Sequence, residues 1–201
     1  AIVQSEQSES QRLIEDYMIA ANVAAAEALI KAKQPCVFRV HDQPDLQKTE
    51  GLRELADAVG TRLARGQVLR PHHFNAILAH VRDSADEKMV NEAVLRSQAK
   101  AVYSIDNLGH FGLALRHYAH FTSPIRRYAD LLVHRALVDM LSPGSAPRDG
   151  LGGRQAFDLV DDCTHISETE GRAAAAERRT IDRFAAALFA GERGNVVKGV
   201  V

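Results

Sequence analysis

The sequence predicts an α+β fold that is predominantly helical, and three observations carry that expectation. Residues 8–33 repeat apolar positions at the helical period, through Leu13, Tyr17, Ala21, Ala24 and Ala28. Ser84 and Ser167 each precede a glutamate by three residues, which is the spacing of a capping box, and Ser123 stands directly before Pro124. The stretches that alternate like strands are few and short, at residues 36–41, 101–104 and 117–121.

Taken in order, the first helix is rich in alanine, which lets a neighbouring element approach closely. Glu15, Met18 or Ile19, and Asn22 share one of its faces. A carboxylate and an amide set among small and apolar residues suit sugar hydroxyls or the orientation of other polar groups. Equally, Glu15 and Asp16 can be solvated while Asn22 bonds nearby backbone. Pro35 ends this helix and the strand at 36–41 follows. Residues 45–59 form an amphipathic helix closed by Gly60. Arg70 and Pro71 open a short helix to about residue 80, and the Ser84 box opens another over 85–98. Residues 106–112 contain Asn107, Gly109 and Gly112, and read as a turn where backbone can approach another strand or a ligand.

The strand at 117–121 then meets Thr122, Ser123 and Pro124. Ser123 is expected to cap a helix whose apolar face runs through Ile125, Tyr128, Leu131, Leu132, Ala136 and Leu137. Arg126 and Arg127 would then lie in its first turn, where cations oppose the helix dipole. Free N–H groups, a hydroxyl and two guanidiniums make chemical sense as a phosphate site. A solvated pair held by Asp130, three or four residues on, is the alternative. Residues 142–153 carry two prolines and four glycines, hence a surface loop. A helix over 154–163 and a second from the Ser167 box to about residue 190 complete the domain, with Gly191 as the stop.

Composition limits what such a chain can do. Its 201 residues can bury a sizeable core, and 46% hydrophobic with 25% charged residues is ordinary for a soluble globular protein. The net charge of −1 is not the footprint of a generic nucleic-acid binder, so any phosphate contact must come from a local cluster. The absence of tryptophan argues against an extended base-stacking surface. Cys36 and Cys163 are far apart and lack metal spacing, which fits reduced thiols and a cytoplasmic protein. No apolar run spans a bilayer, and no signal-peptide pattern is present, so no membrane partner is expected. The nine histidines have no zinc-site spacing.

The run GHFGLALRHYAHFTSPIRRYADLLVHRAL, residues 109–137, resembles the signature of the ribonuclease II / ribonuclease R (RNB) family, and especially its ribonuclease R branch. LRSQAKAVYS, RLIEDYMIAANVAAAEAL and the closing GNVVKGVV resemble further segments of the same family. The likeness is weakest over 42–80 and 142–154, and Ala129 stands where many relatives have proline. The resemblance implies a processive, magnesium-dependent exoribonuclease that works from the 3′ end of single-stranded RNA and releases nucleoside 5′-monophosphates. It implies that residues 1–192 are the C-terminal part of an RNB catalytic domain. Residues 193–201 would be a hinge and the first strand of an OB-fold RNA-binding barrel.

The resemblance makes Arg126 the catalytic phosphate clamp, supported by Ser123, Arg127 and Tyr128. It makes Glu15, Asn22 and Glu177 further RNA-binding residues, the two glutamates near the bound 3′ end. The family holds its Mg2+ on clustered aspartates, and no comparable cluster occurs in this sequence; Asp161–Asp162 and Asp83…Asp86 are isolated pairs. The chain, lacking an initiating Met and ending in an apolar strand-like run, is expected to be a fragment, inactive alone, whose metal ligands lie in a missing N-terminal half. A non-catalytic RNA-binding or scaffold protein with an RNB-like fold is the alternative, and an aspartate-rich stretch upstream would decide between them.

Overall fold

The computed structural model describes residues 8–64, 69–142, 150–151, 154–192 and 194. Helix α1, Glu9–Lys31, opens on a reciprocal cap: Ser8 Oγ accepts from the Gln11 N–H, and Gln11 Oε1 accepts from the Ser8 N–H at 2.8 Å. It buries Asn22, Ala25, Ala26 and Leu29 against α5. The stripe expected from periodicity is not the buried one, since Leu13 and Tyr17 are 55% and 66% exposed. Alanines all round the middle of the helix make several faces nearly equivalent, so packing partners rather than period select one.

Strand β1, Phe38–Val40, pairs antiparallel with β2, Val102–Ser104, placing Arg39 opposite Tyr103. The third expected strand, 117–121, does not join as a strand. It runs beside β1, where the Arg39 N–H donates to the Tyr118 carbonyl at 2.9 Å, but the N–H groups of Phe121 and Thr122 go to the Asn22 side chain instead of a ladder.

Between the strands lie α2 (Leu46–Ala58), α3 (Pro71–Val81) and α4 (Glu87–Ser97). Asp45 Oδ1 caps α2 through the Gln47 and Lys48 N–H groups. Gly60 closes it with φ of +83°, a conformation glycine takes without penalty. The helix expected from the Ser84 box starts two residues late: α4 begins at Glu87 itself, whose carboxylate accepts from the Asp83 N–H at 2.9 Å. These helices close around Leu52, Ala56, Phe74, Ile77 and Val90, an apolar cluster separate from the main core.

The main core joins α1, β1 and α5 (Tyr128–Leu141) to the start of α6 (Val160–Phe189), through Leu29, Val37, Val40, Leu132, Val133, Leu159 and Cys163. Helix α6 is continuous, where the sequence suggested two helices divided near Ser167. Ser167 is used internally: its Oγ donates to the Cys163 carbonyl at 2.7 Å and accepts from the Tyr103 N–H at 3.0 Å. A serine satisfied this way has no reason to cap, and it ties α6 to β2. From Arg172 to Ala190 every residue of α6 and its end is exposed, including Ile181, Phe184 and Leu188. The expected hinge and barrel strand at 193–201 lie outside the described residues, Gly194 excepted, as does most of the loop at 142–153.

Candidate nucleic-acid interface

The segment 121–127 is an irregular turn, and its shape is set by side chains. Asn22 Oδ1 accepts the Phe121 N–H at 2.8 Å and the Thr122 N–H at 3.2 Å. His134 Nε2 donates to the Phe121 carbonyl at 2.9 Å, and the two rings stack 4.3 Å apart. Asp130 Oδ1 accepts the Ser123 N–H at 2.7 Å, and the Ser123 carbonyl accepts the N–H groups of Arg126 and Arg127. The helix therefore does not start at Ser123. α5 begins at Tyr128, with Arg127 as its extended N-cap residue, so Ser123 heads a turn and both arginines precede the first helical residue. The reason is Asp130, which takes the Ser123 N–H and draws the chain into a turn that Pro124 tolerates.

The two arginines separate. Arg127 folds back on Asp130: Nη2 donates to Oδ1 at 2.8 Å and Nε lies 2.8 Å from Oδ2. Asp130 is fully buried, so Arg127 neutralises a charge that water cannot reach. Arg126 and its neighbour Ile125 are exposed. The sequence offered a phosphate site or a pair held by Asp130; Arg127 forms the pair, and Arg126 is left exposed beside it.

Two clefts meet at Arg127. One, of about 690 Å³, is lined by Tyr103, Arg126, Arg127, Tyr128, His165, Ile166, Thr169, Glu170 and Ala173. The other, about 460 Å³ and mostly apolar, is lined by Ile14, Glu15, Met18, Ile19, Asn22, Leu113, Tyr118 and Arg127, with Ser10 and Gln11. Glu15 and Arg126 thus stand in adjoining clefts rather than one. Glu177 lines neither; it is exposed on α6, one turn beyond Ala173 on the same face. Asn22 borders the Glu15 cleft but is 2% exposed, and its amide also donates to the Tyr118 hydroxyl at 3.0 Å. Tyr128, the first residue of α5, is 47% exposed at the edge of the Arg126 cleft.

Behind the turn lies a file of rings in edge contact, from His41 through His110, Tyr118 and His120 to Tyr103, with centroids 5.1 to 5.7 Å apart. Tyr103 OH and His120 Nδ1 are 2.9 Å apart. Burial first, then the guanidiniums of Arg127 and Arg39, push His120 down to about 4, so it is neutral near pH 7 and shares a single hydrogen bond with the tyrosine hydroxyl. Burial likewise holds His110 at about 4, aided by His41. Burial raises Tyr103 to about 12, against the pull of Arg39, whose guanidinium carbon sits 4.7 Å over its ring. Arg39 also forms a two-point ion pair with Glu170, at 2.7 and 3.1 Å. Tyr103, His165 and Glu170 were missed in the sequence because nothing local links β2 and α6 to the arginine turn.

Among the described residues no group of three or more His, Cys, Asp or Glu side chains could hold a metal ion. Asp130 is committed to Ser123 and Arg127, and Asp162 lies 2.7 Å from Arg154. The residues described here do not fit a magnesium site. No described helix is long and apolar enough to cross a membrane.

Comparison with known proteins gives this geometry a family. Ribonuclease R of Escherichia coli is 37% identical over the whole of this chain, and that of Aquifex aeolicus 38%. The chain spans 25% and 28% of those two relatives, about a quarter of their length. Among solved structures, Mycoplasma genitalium RNase R in complex with ribose methylated single-stranded RNA superposes with a TM-score of 0.85 at 27% identity. That match covers 94% of this chain and 30% of the other. Yeast Ssd1, described as a pseudonuclease, shares the fold, with a TM-score of 0.64 at 21% identity over 81% of this chain and 20% of that one. The RNB domain profile matches residues 1–143, well over half of the sequence, and the chain belongs to the RNB domain family.

Proposed function

We propose that this chain is the C-terminal part of the catalytic domain of a 3′-to-5′ exoribonuclease, and that it supplies the phosphate clamp and part of the RNA channel. The observation that carries the reading is the division of labour at residues 126 and 127. One guanidinium is anchored on a buried carboxylate; the other is exposed, beside a cleft, on a turn fixed by Asn22, His134 and Asp130. The partner is the 3′ end of single-stranded RNA, and the products are nucleoside 5′-monophosphates. RNase R of M. genitalium, similar in fold and sequence, has been seen with both single- and double-stranded RNA.

Arg126 offers a planar fork of N–H donors to two non-bridging oxygens of the scissile phosphate. Charge builds on those oxygens as the bond breaks, so the contact strengthens in the transition state. Tyr128 and Ser123 border and shape the same turn, and Arg127 contributes positive potential from its fixed position. Glu15, in the adjoining cleft, is suited to a ribose hydroxyl, and Glu177 to the far side of the 3′ end. Mg2+ would activate the attacking water in the full-length enzyme. Its ligands come from a part of the protein outside this chain, so the chain alone is inactive.

The test is Arg126→Lys in the full-length protein, with labelled single-stranded RNA and Mg2+. Lysine keeps the charge but not the fork, so single-turnover cleavage should fall about a hundred- to a thousand-fold. RNA affinity should change little, because other contacts along the channel hold the backbone. Near-normal cleavage by the variant would remove Arg126 from the chemistry. An unmodified full-length protein that binds RNA without shortening it would instead favour a non-catalytic RNA-binding role.

A further inference from the structure

Asn22 was expected to touch RNA, yet its surroundings assign it other work. It is 2% exposed, and its side chain is engaged on both ends. Nδ2 donates to the Tyr118 hydroxyl at 3.0 Å, and Oδ1 receives the successive N–H groups of Phe121 and Thr122 at 2.8 and 3.2 Å. The next N–H, that of Ser123, goes to Asp130 Oδ1 at 2.7 Å. Three consecutive amides of the strand-like segment are thus held by two buried side chains, one from α1 and one from α5. Only after them does the chain turn, with the Ser123 carbonyl receiving the N–H groups of Arg126 and Arg127.

We propose that Asn22 is a positioning residue that fixes where Arg126 stands, and makes no contact with RNA itself. The inference rests on the exoribonuclease reading above. The physical argument is one of alternatives. Without an acceptor at Asn22, the Phe121 and Thr122 amides lie partly buried and unbonded, and the segment moves to find water or another carbonyl. That shift passes to Arg126 through a rigid connection of four residues, since the Ser123 N–H and carbonyl are both already engaged. A displaced guanidinium still attracts RNA, but no longer meets the phosphoryl oxygens in line.

The experiment uses the full-length protein and reads cleavage and binding separately. Asn22→Leu keeps the branching and the number of heavy atoms, though it is bulkier, and removes both hydrogen-bonding ends; Asn22→Asp restores two acceptors for the two amides, and the Tyr118 hydroxyl can rotate to donate to it. Val90→Ala, in the separate apolar cluster of α2–α4, measures what simple loss of stability does. For Asn22→Leu, single-turnover cleavage should fall about a hundredfold, the size expected when a catalytic group is misplaced by an ångström. RNA dissociation constants should stay within threefold, and Asn22→Asp should recover most of the rate. Should Asn22→Leu not fold, Asn22→Ser, too short to reach the amides, replaces it. A fall in affinity that matches the fall in rate would show that Asn22 binds RNA directly and overturn the proposal. So would a rate no lower than that of Val90→Ala at equal thermal midpoint, or an Asn22→Asp variant as slow as Asn22→Leu. If the unmodified protein does not cleave RNA at all, it is the exoribonuclease reading that fails.

Discussion

Arg127→Ala should destabilise the fold while Arg126→Ala should not. The Arg127 side chain is 19% exposed and its partner Asp130 is 0% exposed, with Nε 2.8 Å from Oδ2 and Nη2 2.8 Å from Oδ1. Removing one partner of a buried pair leaves an uncompensated charge, which costs about 3–5 kcal/mol. Asp130 would keep the Ser123 N–H, and water can reach it through the space Arg127 leaves, so the lower end, about 3 kcal/mol, applies. For a chain of this size each kcal/mol shifts the midpoint by about 2–4 °C, giving a fall of about 6–12 °C. Exposed Arg126 should move it by no more than about 2 °C. Thermal unfolding followed by circular dichroism on this chain measures both. A double variant, Arg127→Ala with Asp130→Ala, should lose less than the sum of the two singles, because the second substitution removes the charge the first one orphaned. Equal midpoints for Arg127→Ala and Arg126→Ala, or strict additivity in the cycle, would refute the division of roles.

Two further outcomes follow from buried titratable groups. His110 and His120 are held at about 4 in the fold against 6.5 unfolded. Their folded values are depressed, so below about pH 6.5 the unfolded chain takes up protons that the native one refuses. Stability is therefore full above that pH and declines as pH falls toward 4; thermal midpoints measured across pH 4–7 should show it, and His120→Gln should flatten the slope. Burial pushes the Cys36 thiol up to about 12, with Cys163 adding to it, and Cys163 up to about 11, with Asp162 adding. Neither should react with Ellman's reagent at pH 8 until denaturant is added, and rapid labelling of the native protein would contradict that burial.

Local chemistry was legible in the sequence where it stayed local. Ser8, Asp45 and Gly60 mark their helix ends as their types suggest. The long signature around Arg126 was enough to bring the family into view. What the sequence does not display depends on distant partners. Ser123 reads as a cap until Asp130 takes its N–H, and Ser167 reads as a cap until Tyr103 uses its hydroxyl. Residues 117–121 alternate like a strand, but Asn22, about a hundred positions earlier, takes the amides a neighbouring strand would need. The buried face of α1 is hidden in the sequence because alanine leaves no strong periodic signal. In the candidate site, the pairing of Arg127 with Asp130 follows from spacing, whereas the arrival of Tyr103, His165 and Glu170 beside Arg126 needs the folded chain.

Helix α6 is anchored over only its first half, where Cys163, Ser167 and Glu170 meet the rest of the domain. From Arg172 onward it stands in solvent, held by its own hydrogen bonds. A helix of that length without tertiary support is marginal in water. In this chain taken alone, the two halves therefore belong to different thermodynamic units: the first unfolds with the core, the second can unwind at small free-energy cost. Ile181, Phe184 and Leu188 carry latent burial energy, because each apolar side chain fully removed from water would contribute about 1.5–3 kcal/mol. The outer half of α6 is thus an element whose order depends on its surroundings, while the turn beside its base, pinned by Asn22 and Asp130, keeps its form regardless.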